Sequence, residues 1–306
     1  MSQAVRFSRY GDPDVLEVVD VPDPQPGPGQ VRLRVQAAAV NPFDAKMRSG
    51  VFASGDLEAP RGLGVDVAGV VDALGEGVTE LAVGDEVLGA AAGGGYAELA
   101  LARPKSLVRR PAGVPWEVAA GAGTVARTAY RTLELLGVGA GETVLVLGAA
   151  GGVGSAAVQL AVARGAAVVG VAAEDRQDDV RGLGATPVVR GEGWEERVRA
   201  AAPGGIDAVI DASGHGELGG AVALAGGPDR VVTVAADDAA DHGVRFSAGD
   251  GDIDSIPGLE TFVAGLADGT MRLPVRATFP LAAAADAHRE LEAGRGRGKI
   301  VLLPGR

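Results

Sequence analysis

The feature that most constrains this chain is the stretch from Glu142 to Ala173. There an apolar burst, TVLVL, is cut off by Gly148-Ala149-Ala150-Gly151-Gly152-Val153-Gly154, followed by the helix-forming GSAAVQLAVARG and a second apolar burst, AVVGVAA. A strand buried on both faces reads as a continuous apolar run, and strand, tight turn, helix and second strand in this order make a βαβ unit. The last six residues of the turn fit the dinucleotide fingerprint G-x-G-x-x-G with Ala149 in place of its first glycine. The spacing has a physical cause. A tight turn leaves the strand, Gly151 lets backbone approach a pyrophosphate, and Gly154 lets the helix pack closely while its free N–H groups face the anion. Ala150, Gly151, Gly152 and Val153 are therefore expected to line a dinucleotide site. Thr143 to Ala163 carries no charge and is long enough to cross a bilayer, but its Gly and Ala content, Gln159 and the break at Gly148 fit the βαβ reading instead.

The residue about 20 positions on, at the end of the second strand, selects the dinucleotide, because an acid there binds the ribose hydroxyls of NAD and repels a 2′-phosphate. Counting from the turn to the end of the second strand places Ala173 there, which leaves room for the phosphate of NADPH, with Arg176 and Arg190 available to neutralise it. Glu174 and Asp175 follow directly, and a one-residue shift in the turn would put a carboxylate in the NAD position, so NADH stays open. The same EDRQDD segment also reads as a solvated helix start with acids at its N-terminus.

Around this unit the chain has two textures. The first hundred or so residues alternate short strand-like runs, such as VRLRVQAAAV, GVDVAGVVDAL and DEVLGA, with Gly/Pro turns, and read as mainly β. From about Val118 strands alternate with helical stretches, which predicts a parallel sheet covered by helices. An acidic stretch with Asp237, Asp238, Asp241, Asp250 and Asp252 closes this part and reads as solvated surface. A helix near 259–267, an extended LPVRATFP, a helix around 282–293 and a final strand KIVLL complete the chain. The expected organisation is a mainly β domain from 1–117 and 253–306 and a doubly wound α/β domain over 118–252.

Charge and composition remove whole classes of function. With 28 basic against 40 acidic residues and a net charge of −12, no stretch combines Lys/Arg clusters with aromatics as a nucleic-acid surface would. The chain has no cysteine, which excludes disulfides, thiolate zinc sites and a cysteine nucleophile. The polar amino terminus lacks a secretory pattern, so a cytoplasmic protein without a membrane segment is expected.

Beyond the βαβ unit, AVNPFDAKMRSG, GVDVAGVVDALGEGVTELAVGDEVLG, GGYAELA, GETVLVLGAAGGVGSAAVQLA and the closing GRGRGKIVLL follow one another in order. In this order they resemble the medium-chain dehydrogenase/reductase superfamily, in its zinc-independent, quinone oxidoreductase-like branch, over essentially the full length. The resemblance implies a GroES-like domain joined to a Rossmann domain, with the active site in the cleft between them. It also implies that Asn41 and Thr128 lie beside the nicotinamide and that Ser213 and Val234, after the fourth and fifth Rossmann strands, line its other side. The zinc-dependent branch carries Cys where Asn41 stands and His where Val65 stands, and both ligands are missing. His215, His242 and His288 are far apart in sequence, and each is expected at the surface or in a structural hydrogen bond, with His215 the one placed to reach the cleft.

Without a metal, hydride transfer to a conjugated alkene or a quinone is easier than simple carbonyl reduction, because charge spreads into an enolate. Positioning of substrate and NADPH would then supply much of the rate. Asn41, Asp44 and Lys46 are the candidate catalytic residues. Lys46 stands where some relatives carry a tyrosine, and either stabilises enolate charge or makes a salt bridge, while Asp44 either takes part or braces its loop. The short segment from Val51 to Arg61, containing Phe52, is expected at the pocket mouth. The partner is a small-molecule substrate, and relatives form homodimers through the Rossmann sheet, here around 229–244. The alternative is a dinucleotide-binding protein of the same fold that acts as a sensor or a non-redox catalyst; a zinc alcohol dehydrogenase lacks its ligands.

Overall fold

A computed structural model describes residues 1–249, 251, 253–294 and 296–305. Asp250 and Asp252 of the expected acidic surface, and Arg295 of the closing motif, lie outside the described residues; Asp237 and Asp241 are exposed. In chain order the elements are β1 (Ser2–Phe7), β2 (Glu17–Val21), β3 (Val31–Val40), α1 (Pro42–Ser49), β4 (Arg61–Gly62), β5 (Asp66–Leu74), β6 (Glu86–Ala92), β7 (Leu99–Arg109) and α2 (Trp116–Leu136). There follow β8 (Thr143–Leu147), α3 (Gly152–Ala163), β9 (Ala167–Ala172), α4 (Gln177–Gly182), β10 (Thr186–Val189), α5 (Trp194–Ala201), β11 (Ala208–Asp211), α6 (Leu218–Ala225), β12 (Val231–Thr233) and β13 (Arg245–Phe246). The chain ends with α7 (Ile256–Asp268), β14 (Val275–Pro280), α8 (Ala284–Glu292) and β15 (Lys299–Leu303).

Two compact units divide the chain, Met1–Thr124 with Val263–Arg306 and Val125–Phe262, with both divisions falling inside helices, α2 and α7. The first unit is built on a six-stranded sheet in the order β14-β15-β3-β5-β6-β7, in which β3 also pairs with β7 and so closes four strands into a ring. β3 alternates buried and less buried residues along VRLRV, as a strand with one face on the core must. β15 does not alternate: Lys299, Ile300, Val301, Leu302 and Leu303 are all buried. A lysine opening such a strand requires partners, because a buried charge is tolerated only when paired and hydrogen-bonded.

The second unit is a parallel sheet in the order β10-β9-β8-β11-β12-β13. Val144 to Leu147 of β8 are wholly buried, each contributing about 1.5–3 kcal/mol of burial energy. The uncharged run 143–163 therefore forms a core strand and a helix, and no helix among the described residues is long and apolar enough to cross a membrane. The segment around Asp44, expected as a loop, forms α1. Its start signals are in the sequence: Asn41 at the N-cap, Pro42 in the first turn, Asp44 three residues on, and Gly50 at φ +87° to end it.

Candidate functional site

In the first unit, α1 begins where β3 ends, which sets Asn41 beside β5 and β15 in a buried polar cluster. Asn41, Asp44, Asp66 and Tyr96 are each at most 2 % exposed, and Lys299 is 7 % exposed. The Lys299 ammonium donates to Asn41 Oδ1 at 2.5 Å, and Asn41 Nδ2 donates to Asp66 Oδ2 at 3.0 Å. Asp66 also accepts the Thr124 backbone N–H at 3.0 Å and the Thr124 hydroxyl at 2.8 Å. Two obligate N–H donors keep Asp66 Oδ2 an acceptor, and Lys299 is the nearby cation whose field favours the charged carboxylate. Burial pushes the Asp66 carboxyl up and the Lys299 ammonium down, and their mutual attraction together with the donors on Asp66 opposes both shifts.

Asp44 is held differently. Its Oδ2 accepts the Asn41 backbone N–H at 2.9 Å and the Tyr96 hydroxyl at 3.0 Å, while its Oδ1 is buried with no hydrogen-bond partner. Burial, reinforced by Asp66, pushes Asp44 up to about 7 despite these two donors. Tyr96 is raised well above its ordinary value by burial and by Asp44, so it stays protonated and donates.

The structure thus brings Asn41 and Asp44 together but not Lys46, which is half-buried two positions further along α1, off the Asp44 face, and engaged elsewhere. Asp66, Tyr96, Thr124 and Lys299 were missed as site residues. A signal existed for them. Gly121 and Gly123 sit inside helix α2, where glycine is unfavourable, because a Cβ on Gly123 would lie 2.4 Å from Asp66 Oδ1 and one on Gly121 would lie 3.1 Å from Lys299.

In the second unit the remaining candidates collect at the carboxyl ends of the parallel strands, where ligands bind in open α/β sheets. After β8, Gly148 turns at φ +74°, and a Cβ on Gly154 would meet the Gly148 carbonyl oxygen at 2.1 Å, so only glycine lets α3 approach the turn. Gly151 and Gly152 are exposed at the α3 N-terminus and Ala150 and Val153 are half-buried. A Cβ on Gly152 would meet Val125 at 3.1 Å, which puts α2, and with it the buried Thr128 one turn on, beside the glycine turn. Ser213 follows β11 and shares Asp211 with the end of β12: Asp211 accepts Ser213 N–H and O–H at 2.9 and 2.8 Å and the Thr233 hydroxyl at 2.7 Å. Val234 is tied to the same strand through its N–H to the Asp211 carbonyl.

Ala173 follows β9 directly, and Arg190 follows β10, with its N–H bonded to the Ala172 carbonyl at 2.8 Å. Gln177 fixes this tip by donating to the carbonyls of Ala172, Ala173 and Val188. Glu174 and Asp175 point to solvent, and Arg176 pairs with Asp175 at 3.4 Å and Asp179 at 3.6 Å. A third arginine missed from sequence, Arg197, reaches back from α5 to the carbonyls of Val189 and Gly191.

The histidines divide. His215 is exposed and its N–H meets Ser213 Oγ at 3.3 Å, and His242 pairs with Asp238 at 3.5 Å. His288 departs from the expected surface or hydrogen-bonded role: it is fully buried, neither ring nitrogen has a partner, and burial together with Arg48 lowers it to about 3.

Zinc does not fit the first unit's cluster. There is no thiol in the chain, the Asn41 amide oxygen already holds an ammonium, and no group of three His, Cys, Asp or Glu among the described residues is arranged for a metal.

Residues 27–115 match the alcohol dehydrogenase GroES-like domain and residues 183–302 the zinc-binding dehydrogenase domain. A quinone oxidoreductase of Lama guanicoe is 34 % identical over 99 % of this chain and 98 % of its own. A 2-methylene-furan-3-one reductase of Solanum lycopersicum is 33 % identical over 99 % of this chain and 79 % of its own. The solved structure of a mycobacterial protein complexed with NADPH superposes with a TM-score of 0.85 at 30 % identity, covering 99 % of this chain and all of that one. The chain therefore belongs to the quinone oxidoreductase branch of the medium-chain dehydrogenase/reductase superfamily, as an NAD(P)H-dependent oxidoreductase.

Proposed function

We propose that this protein reduces an activated alkene or a quinone with NADPH and without zinc. The observation that carries this reading is the Lys299 ammonium on the Asn41 amide oxygen, which puts a cation of the protein's own where a metal would need an open ligand. With no Lewis acid to polarise an isolated ketone, the acceptor is one whose incoming charge delocalises by itself, as in a conjugated carbonyl or a quinone. The quinone oxidoreductase and furanone reductase relatives support the same acceptor class.

The glycine turn suits the pyrophosphate, since Gly151 and Gly152 present exposed backbone at the start of α3. NADPH is favoured over NADH by Ala173 at the β9 tip, by the arginines Arg176, Arg190 and Arg197 around the β9 and β10 ends, and by Gln177, which opposes the one-residue shift that would bring Glu174 into place. Bound NADPH supplies the hydride. Of the protein's own groups, Thr128, Ser213 and Val234 serve the nicotinamide end, Asn41 orients a ligand oxygen, and Asp44, with Tyr96 on one oxygen, holds a proton near neutral pH. Phe43 and Phe52, both exposed with ring centroids 5.7 Å apart, offer a flat apolar contact to the acceptor. A homodimer forms through the outer edge of the parallel sheet.

Titration of the purified protein with NADPH and NADH, followed by nucleotide fluorescence, tests the reading directly. NADPH should bind more tightly and be oxidised in the presence of an ortho-quinone or an aryl enone. Binding of neither nucleotide would sink the proposal.

A further inference from the structure

Asn41 is 98 % buried by its 2 % exposure, yet its amide is not fully used. Its oxygen takes the Lys299 ammonium and one Nδ2 hydrogen goes to Asp66, which leaves the second Nδ2 hydrogen without a partner. Buried amide hydrogens are almost always paired, so an unpaired one on an otherwise fixed side chain points to an acceptor supplied from outside the chain.

The two partners also settle the amide's orientation. An ammonium has only donors and an ionised carboxylate only acceptors, so the reversed amide would face donor with donor and acceptor with acceptor. A cation on the oxygen and an anion on the nitrogen side polarise the amide in the same sense, drawing electron density toward Oδ1. Lys299 on the oxygen makes the remaining N–H a stronger donor, while Asp66 on the other hydrogen fixes the amide's orientation. Thr124 and Gly123 hold Asp66 in place from α2, the first by two hydrogen bonds and the second by the space its missing side chain leaves.

From this geometry we infer that Lys299 and Asp66 are positioning residues that fix and polarise the Asn41 amide, so that its second Nδ2 hydrogen binds a carbonyl oxygen of a bound ligand. The inference rests on the proposed reduction for the identity of that ligand, whose oxygen belongs either to the nicotinamide carboxamide or to the acceptor. A donor at the acceptor's carbonyl would strengthen as charge builds on that oxygen, the requirement for transition-state stabilisation.

The test compares the parent with Lys299→Met, Asp66→Asn and the double variant. Each single change leaves a buried charge unpaired and should lower both thermal stability and the rate of NADPH oxidation, the rate by about tenfold or more. The double variant removes both charges, so its stability should return toward the parent while its rate stays low. Recovery of rate together with stability would show a merely structural pair and overturn the inference. An unchanged NADPH dissociation constant with a reduced kcat/KM assigns the oxygen to the acceptor, and a raised dissociation constant assigns it to the carboxamide; either upholds the inference.

Side-chain ¹⁵N NMR of Asn41 separates this inference from the proposed function. In ligand-free protein Lys299→Met should move both Nδ2 hydrogen signals, and unmoved signals would overturn the clamp. A parent protein that failed to bind NADPH would defeat the proposed function alone, since the ligand-free spectra would still decide the clamp.

Discussion

Burial, reinforced by Asp66, holds the proton on Asp44 to about pH 7, although one of its oxygens accepts two hydrogen bonds. In the unfolded chain the same carboxyl ionises near its ordinary 3.8. Between these values the folded state binds a proton that the unfolded state does not, so the stability this group contributes is full below 3.8 and is lost as pH rises through 7. Asp44→Asn should remove that loss. Relative to the parent, the variant should gain about 2 kcal/mol between pH 5 and pH 8, measured by denaturant unfolding at both values. At the β9 tip the discriminating group is the 2′-phosphate of the proposed coenzyme. Ala173→Asp should weaken NADPH binding about tenfold and change NADH binding by less than about twofold, measured by calorimetry. Equal loss for both nucleotides would mean that the substitution merely distorts the turn.

At the scale of elements, the βαβ unit was legible because its physics is local: TVLVL is apolar throughout, and the glycine spacing follows from contacts within a dozen residues. Gly154→Ala tests that reading. With the Gly148 carbonyl oxygen 2.1 Å from the new Cβ and only backbone of Gly148 and Ala149 there to give way, the variant should lose about 1–3 kcal/mol in thermal unfolding and bind NADPH poorly. The packing of α1 on α8 was not legible, because no local pattern states which residues of two distant segments meet. Arg48 on α1 pairs with Glu292 on α8, and His288 lies one turn before Glu292 with both nitrogens unpaired. In the unfolded chain His288 takes a proton near its ordinary 6.5, and in the fold it resists until about 3. The unfolded state therefore binds the extra proton in this window, and stability falls as pH drops below 6.5, by about 2 kcal/mol at pH 5. His288→Phe should flatten that acid limb, as read from unfolding free energies at pH 5 and 7.

For the whole molecule, the fold class followed from the change of texture near Val118 and the full-length run of motifs, while the buried cluster of the first unit stayed hidden. Asn41, Asp66, Thr124 and Lys299 are 25 to 258 positions apart in their hydrogen-bonded pairs, and each alone reads as an ordinary polar residue. The hints were Lys299 at the head of the wholly apolar IVLL and the two glycines inside α2 that make room for Asp66 and Lys299. Association is the other property set at this scale. β13 leaves the edge of the parallel sheet open and carries Phe246 at 44 % exposure, a surface suited to pairing with a second copy. Light scattering coupled to size exclusion should give a dimer, and Phe246→Lys should shift it toward monomer with the NADPH affinity of each chain retained.

The βα turn and the strand tips around it differ in how freely they can change. Gly148 and Gly154 are in mutual backbone contact and leave no volume to spare, whereas Glu174, Asp175, Arg190 and Arg197 stand in solvent. If the turn and the tips bind the coenzyme as proposed, its class is locked into the core while the preference between coenzymes is written on the surface. Under the proposed reading, a few outward-facing substitutions would retarget redox partnering from one cellular reductant pool to the other, without a repacking step in between.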